Sequence, residues 1–233
     1  VSVTQHALEA NLLRIHACID RAAEKSGRHA KDVTLIAATK TQTPETIRMA
    51  HAAGVRHFGE NRIQEWESKK AHLEDLDATW HLIGHLQTNK IARALRLFDA
   101  LDSIDSLPLA RRIDRDSPKE KRLPVLIEIR MDPVASKSGL DQEALPETAD
   151  AILSMPHLEL RGLMCVPPFF EEPDQGRVYF RRLREMRDAL ERRYQTPFPT
   201  LSMGMSHDFE TAIEEGSTQV RLGTALFGAR PLA

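Results

Sequence analysis

The chain has 233 residues, 41% hydrophobic and 28% charged, with a formal net charge of −2. That balance supports a buried core and gives no electrostatic pull toward nucleic acid or an anionic membrane. Cys18 and Cys165 are too few for a disulfide framework and match no metal spacing, and neither a signal peptide nor an apolar run of membrane-spanning length is visible, so a reducing cytoplasm is the expected compartment.

Residues 4–25 read as an amphipathic helix, with Leu8, Leu12, Ile15 and Ile19 on one stripe and Gly27 as the stop. Val33 to Thr39 is an apolar, partly β-branched run that ends at Lys40, the pattern of a buried parallel strand. Thr43-Pro44-Glu45 then supplies a cap, a first-turn proline and an acid, opening a helix that Gly54 closes. Val55–Gly59 is a second strand, ending in Glu60-Asn61, and Ile63, Trp66 and Leu73 mark one helix face. Thr79–Gly84 is a third strand, and Ile91, Ala94, Leu95 and Phe98 stand at helical spacing. Asp99–Ile104 is a fourth, followed by a helix that Ser106 can cap. Pro124–Met131 and Leu158–Val166 are the fifth and sixth strands, with a helix near 145–154 between them. Tyr179, Leu183, Met186 and Leu190 give a helix stripe, Thr200–Gly204 a seventh strand, Phe209–Glu215 a helix and Thr218–Leu222 an eighth strand.

Strand and helix signals thus alternate through eight units without a linker, most of them about 20–40 residues long, the size of a βα unit. Eight such units in roughly 230–250 residues is the arithmetic of a (β/α)8 barrel; a doubly wound open sheet needs no eighth unit. The expectation is one α/β domain over residues 1–233, a single TIM barrel with an extra N-terminal helix and no second β domain.

In such a barrel the carboxyl ends of the strands gather Lys40, Asn61, His85 and the loops after the seventh and eighth strands, a common phosphate-binding location. Those loops read Ser202-Met203-Gly204-Met205-Ser206 and Arg221-Leu222-Gly223-Thr224-Ala225. Glycine lets backbone approach an anion, and Ser206 and Thr224 add hydroxyl donors. Either loop alone reads equally well as a cap or a turn; the pairing of the two favours an anion. Lys40 could simply snorkel, but burial at a barrel mouth lowers a lysine pKa and favours imine formation with an aldehyde. A lysine beside a phosphate cup suits pyridoxal phosphate and also suits a Schiff-base aldolase acting on sugar phosphates. Arg221 has Val220 and Leu222 on the opposite strand face, so it is a candidate to project inward. Facing a pyridine nitrogen it would leave that nitrogen unprotonated and the ring a poor electron sink; a plain salt bridge is the alternative.

His81 and His85 lie across a strand and loop rather than on one helix face, so no metal site is expected. The arginines at 177, 181, 182, 184, 187, 192 and 193 alternate with acids and read as a solvated helix face. Ser136-Lys137-Ser138-Gly139 follows the fifth strand and reads as a loop in preference to an anion-binding turn.

Ala38-Thr39-Lys40, His57-Phe58-Gly59-Glu60-Asn61, residues 80–87 (WHLIGHLQ), Ser136-Lys137-Ser138-Gly139, Arg161-Gly162-Leu163-Met164, residues 201–206 (LSMGMS) and residues 220–228 (VRLGTALFG) occur in an order that resembles the pyridoxal phosphate homeostasis protein family. The resemblance runs from about Val33 onward. It implies an alanine-racemase-type barrel that carries pyridoxal 5′-phosphate as an aldimine on Lys40. Phosphate contacts would come from Ser206, Gly223 and Thr224, the pyridine-nitrogen contact from Arg221, and Asn61 would line the pocket. Thr39-Lys40-Thr41-Gln42 departs from a commoner Ser-Lys form and Cys165-Val166-Pro167-Pro168 from a commoner apolar-Pro form; neither touches the lysine or the cup.

Racemases with this barrel add a β-rich domain whose tyrosine serves the second face of the substrate carbanion. Here the two tyrosines, Tyr179 and Tyr194, both fall in the arginine-rich helix. The expected function is therefore a monomeric cytoplasmic carrier that buffers pyridoxal phosphate and passes it to apoenzymes, with no catalytic residue assigned. A slow amino-acid racemase, a sugar-phosphate lyase and a scaffold acting through the arginine-rich helix stay open as alternatives.

Overall fold

Thr4 opens the first helix: its backbone is extended and its hydroxyl accepts from the Ala7 N–H at 3.2 Å. Helix α1 (Gln5–Lys25) buries Leu8, Leu12, Ile15 and Ile19, the stripe read from the sequence, and the left-handed Gly27 turns the chain away. The computed structural model describes residues 3–119, 122–131 and 138–228.

Along that chain follow β1 (Thr34–Ala38), α2 (Pro44–Ala52), β2 (His57–Glu60), α3 (Ile63–Lys70), β3 (Thr79–Leu82), α4 (Ile91–Leu97), β4 (Ala100–Ile104), α5 (Leu107–Asp116) and β5 (Leu123–Ile129). Then come α6 (Leu145–Leu153), β6 (Leu158–Cys165), α7 (Arg177–Tyr194), β7 (Thr200–Met205), α8 (Phe209–Glu214), β8 (Gln219–Leu222) and the single turn α9 (Thr224–Phe227). The strands pair in parallel in sequence order, and β1 closes on β8 with Ile36 beside Arg221. This is a closed (β/α)8 barrel, as the alternating pattern requires. Helix α1 lies outside the ring, where Asn11 donates to the Leu226 carbonyl at 2.8 Å.

Strand alternation divides the core in two. Ala37, Phe58, Leu101, Ile127, Leu163, Leu201, Val220 and Leu222 face the helices and join one continuous apolar cluster. Ile36, Ala38, Leu126 and Met164 are equally buried on the opposite faces, outside that cluster. They share the inside of the barrel with a polar column. His57 Nδ1 lies 3.2 Å from His81 Nε2, and His81 Nδ1 lies 3.3 Å from the Asp102 carboxylate. Gln219 Nε2 donates to Asp102 at 2.7 Å and to Ser202 Oγ at 2.9 Å, and Arg221 donates to the same Ser202 Oγ at 2.6 Å. Burial, and then the neighbouring His81, hold His57 below its ordinary pKa.

Some boundaries move. The second strand begins at His57, two residues beyond the expected start, because Val55 N–H is taken by Ala50 O at the end of α2. Ser106 occupies the cap position of α5 but its hydroxyl makes no capping bond. In α7 it is Phe180, with Leu183 and Leu190, that is fully buried, while Tyr179 and Met186 only fringe the core. The arginines are less solvated than expected. Arg177 pairs with Asp174, Glu214 and Glu215, and Arg181 and Arg184 also reach Glu215, so part of the run forms a charged seam against α8. Ser136 and Lys137 lie outside the described residues. Among the described residues no helix is long and apolar enough to cross a membrane.

Gly162 pairs with Thr200 where β6 meets β7. A Cβ there would stand 1.9 Å from the Thr200 carbonyl oxygen, and φ is +152°. Gly162→Ala is therefore expected to cost about 3 kcal/mol or more, since backbone rather than a flexible side chain must yield. Urea unfolding checks this, and a midpoint equal to that of the wild type would refute the close contact.

Candidate functional site

Neighbouring strand ends build the mouth of the barrel around Lys40. β1 delivers Lys40 just past Ala38, and the Thr39 N–H still bonds to the Gly59 carbonyl of β2 at 2.9 Å. Thr43 then caps α2, with its Oγ1 accepting from the Thr46 N–H at 3.3 Å and Pro44 at the start of the helix, as the sequence signal requires. Lys40 is half-buried between these two elements. The residue after it, Thr41, has φ +67°, a left-handed conformation unusual for a β-branched side chain.

Asn61 lies just past β2, and its Oδ1 is buried without a hydrogen-bond partner. Gly84, past the end of β3, makes this placement possible: a Cβ there would lie 2.3 Å from the Asn61 carbonyl oxygen. His85 follows on the rim, with Nδ1 2.7 Å from Asp105 Oδ2, while His81 sits inside the barrel. The two histidines thus have separate surroundings.

On the other side of β1, the loops after β7 and β8 converge. Ser206 Oγ accepts from both the Gly223 N–H at 3.2 Å and the Ala225 N–H at 3.1 Å. Two backbone donors aimed at one oxygen make an anion cup, with the hydroxyl of Ser206 at its centre. A Cβ on Gly223 would meet only Ala38, at 3.6–3.8 Å, which is ordinary contact. The glycine therefore clears no space needed by the protein itself; it leaves the cup open two residues from Lys40. Thr224 is exposed at the rim of this cup.

Arg221 projects inward, as alternation along β8 suggests, and is 5% exposed. Among the described residues it makes no ion pair; it donates to Ser202 Oγ and, at 2.8 Å, to the Cys165 carbonyl. Among the described residues the salt-bridge alternative read from the sequence is not used. Burial pushes the Arg221 guanidinium down from its ordinary value, with Cys165, Asp102 and Glu128 opposing. Beside it the Cys165 thiol is pushed up to about 12 by burial, so it stays protonated and unreactive at neutral pH. The structure thus brings Lys40, Asn61, Ser206, Arg221, Gly223 and Thr224 onto the ends of four adjacent strands, β7, β8, β1 and β2.

Sequence reasoning missed Lys69 and Glu60. Lys69 Nζ donates to the Thr39 carbonyl at 3.0 Å, Glu60 Oε1 at 3.1 Å and Glu65 Oε1 at 2.8 Å. Its i,i+4 spacing from Glu65 reads on paper as a surface ion pair, and nothing local marks it as buried. Glu128, a single acid within an otherwise apolar fifth strand, is buried near Arg221 and accepts from Ser138 Oγ at 3.0 Å.

The family model described as alanine racemase, N-terminal domain, matches residues 6–231. A pyridoxal phosphate homeostasis protein of Aquifex aeolicus is 44% identical over 220 residues, covering 94% of this chain and 96% of its own length. Among solved structures, PipY of Synechococcus elongatus with PLP bound is 36% identical with a TM-score of 0.80, covering 91% of this chain and all of its own. A protein of unknown function from Bifidobacterium adolescentis is 35% identical with a TM-score of 0.88, over 97% and 98% of the two chains. The barrel is of the alanine-racemase N-terminal-domain type. Within that type, the chain belongs to the pyridoxal phosphate homeostasis protein family.

Glu128 allows a sign test of the inner electrostatics. Burial raises its carboxyl pKa above the ordinary 4.5, against the pull of Ser138 and Arg221. A raised carboxylate contributes stability that is present below about 4.5 and lost as the pH climbs through the raised value. Glu128→Gln needs no charge and can keep the Ser138 bond. It should melt about 2–4 °C above the wild type at pH 8, with the gap closing toward pH 4. Thermal unfolding across that range decides, and a variant less stable than the wild type at pH 8 reverses the assignment.

Proposed function

We propose that this protein binds pyridoxal 5′-phosphate and serves its intracellular homeostasis as a carrier. The observation that carries this reading is the Ser206 cup, two converging N–H groups beside the strand end that bears Lys40. The residues fit the group: a cup for a phosphate, a buried cation held by a hydroxyl and a carbonyl for a ring nitrogen, and an unpartnered Asn61 Oδ1 for a donor on the ligand. When bound, the cofactor supplies an aldehyde whose carbon a deprotonated amine can attack.

Lys40 is the proposed anchor. Ser206, Gly223 and Thr224 would hold the phosphate, Arg221 would meet the ring nitrogen and Asn61 would line the pocket. Arg221 can donate a hydrogen bond but gives up no proton, so the ring nitrogen gains no positive charge and proton abstraction from a bound amino acid is weakly supported. Neither tyrosine favours a second acid–base group over the mouth. Tyr194 donates to Asp150 at 2.6 Å at the far end of α7, and Tyr179 stacks on Phe170. These placements favour a carrier over a racemase, and hand-over to apoenzymes by a cytoplasmic monomer completes the proposal. The homeostasis proteins and PLP-bound PipY support the cofactor itself.

The test is the visible absorption of the purified protein before and after borohydride. The wild type should be yellow, and borohydride should fix the label on Lys40. Lys40→Ala should lose the band, while Ser206→Ala should keep it with about tenfold weaker cofactor affinity for want of one charge-assisted hydrogen bond. A colourless wild type that also fails to take up added cofactor overturns the reading. Amino-acid turnover that depends on Lys40 would instead make the protein an enzyme.

A further inference from the structure

We infer that Lys69 is a positioning residue, clamping the backbone on both sides of Lys40 so that its amine is presented to an aldehyde. The inference rests on the cofactor reading above. Lys69 belongs to α3, yet its side chain is only 9% exposed and reaches the end of β1. An ammonium has three N–H donors, and all three have acceptors here: the Thr39 carbonyl, Glu60 and Glu65. Lys69 is therefore fully engaged as a cation, and its amine has no lone pair to offer an aldehyde.

Its two carboxylate partners extend the grip. Glu60 Oε1 also accepts from Thr39 Oγ1 at 2.8 Å, and Glu65 Oε1 also accepts from the Thr41 N–H. Residues 39 and 41 are thus both tied to one cluster, with Lys40 between them. The left-handed Thr41 is the mark of a constraint, because a β-branched residue keeps such a backbone only where its surroundings over-determine it. Stability alone is a poor reason for this arrangement. A buried ion cluster is often no better than an apolar replacement, and here Glu60 Oε2 is buried with no partner. What the cluster gains is a fixed path for one peptide segment at the barrel mouth.

Capture of the aldehyde requires the Lys40 Nζ lone pair to form a bond to the carbonyl carbon. The carbonyl oxygen then leaves as water with the two amine protons, and a C=N bond remains. A displacement of about 1 Å can slow such an attack by as much as a hundredfold. The phosphate cup and Arg221 lie on β7 and β8, outside the clamp. Losing Lys69 should therefore separate capture from binding.

The experiment uses pyridoxal 5′-phosphate and its alcohol analogue pyridoxine 5′-phosphate, which lacks the aldehyde. Lys69→Met, and Lys69→Met combined with Glu60→Gln to keep the charge balanced, should bind the alcohol within about twofold of the wild type. Their rate of covalent capture at saturating aldehyde, read by borohydride trapping, should fall at least about tenfold. Glu65→Leu, at a partly exposed site, frees the Thr41 N–H and should show the same split more mildly. Unchanged capture, or capture and alcohol binding falling together, overturns the clamp and leaves Lys69 structural. A wild type that binds neither compound, or is trapped at another lysine, rejects the cofactor reading instead.

Discussion

The closing of β1 on β8 is the contact on which the barrel mouth depends. Thr34 N–H bonds to the Thr218 carbonyl at 2.8 Å, and the register then sets Ile36 against Arg221. Those pairings bring the first and last strands of the chain side by side. The end of β1, with Lys40, meets the turn after β8, with Gly223, while β2 brings Asn61 to the other flank. A one-residue slip would turn Arg221 out toward the helices and Val220 into the barrel. The register is held because Val220 and Leu222 are fully buried on the outer face.

The inside of the barrel follows a different logic from its outside. Outer positions are apolar and lock the strands to the helices, whereas the inner positions of β2, β3, β4, β7 and β8 carry His57, His81, Asp102, Ser202, Gln219 and Arg221. Such groups are costly to bury singly and tolerable only as a satisfied chain. The chain of contacts runs from the histidine pair to Arg221, so the guanidinium is fixed by a hydroxyl and a carbonyl instead of a carboxylate. A carboxylate there would occupy the donors that the proposed ligand needs.

On the opposite side of the mouth the constraint comes from ions. Lys69, Glu60 and Glu65 grip residues 39 and 41, and the left-handed Thr41 shows how closely the path is specified. The two sides have separate duties in this reading. One holds an anion and a ring, and the other aims an amine. That separation suits a protein that captures and releases an aldehyde without acting further on a substrate.

Much of this was legible in the sequence. The eight-unit alternation, the α1 stripe, the cap at Thr43 and the inward side of Arg221 all follow from local periodicity, because helix and strand repeat at fixed intervals. Lys40, Asn61, Ser206, Arg221, Gly223 and Thr224 could be grouped because a parallel barrel sends every strand's carboxyl end to one face. Other features needed the fold. Ser106 holds the cap position without a side-chain capping bond, Tyr179 looks more buried than Phe180 and is less so, and the arginine run looks solvated yet partly seals α7 to α8. Lys69 and Glu65 read as a surface pair, and only the fold buries Lys69, whose ammonium reaches the end of β1 while Glu65 stays partly exposed. The sequence by itself determined which residues alternate and where strands end, since those depend on neighbours along the chain. The tertiary structure alone decided which charges meet, because ion pairing and burial depend on neighbours that are distant in sequence.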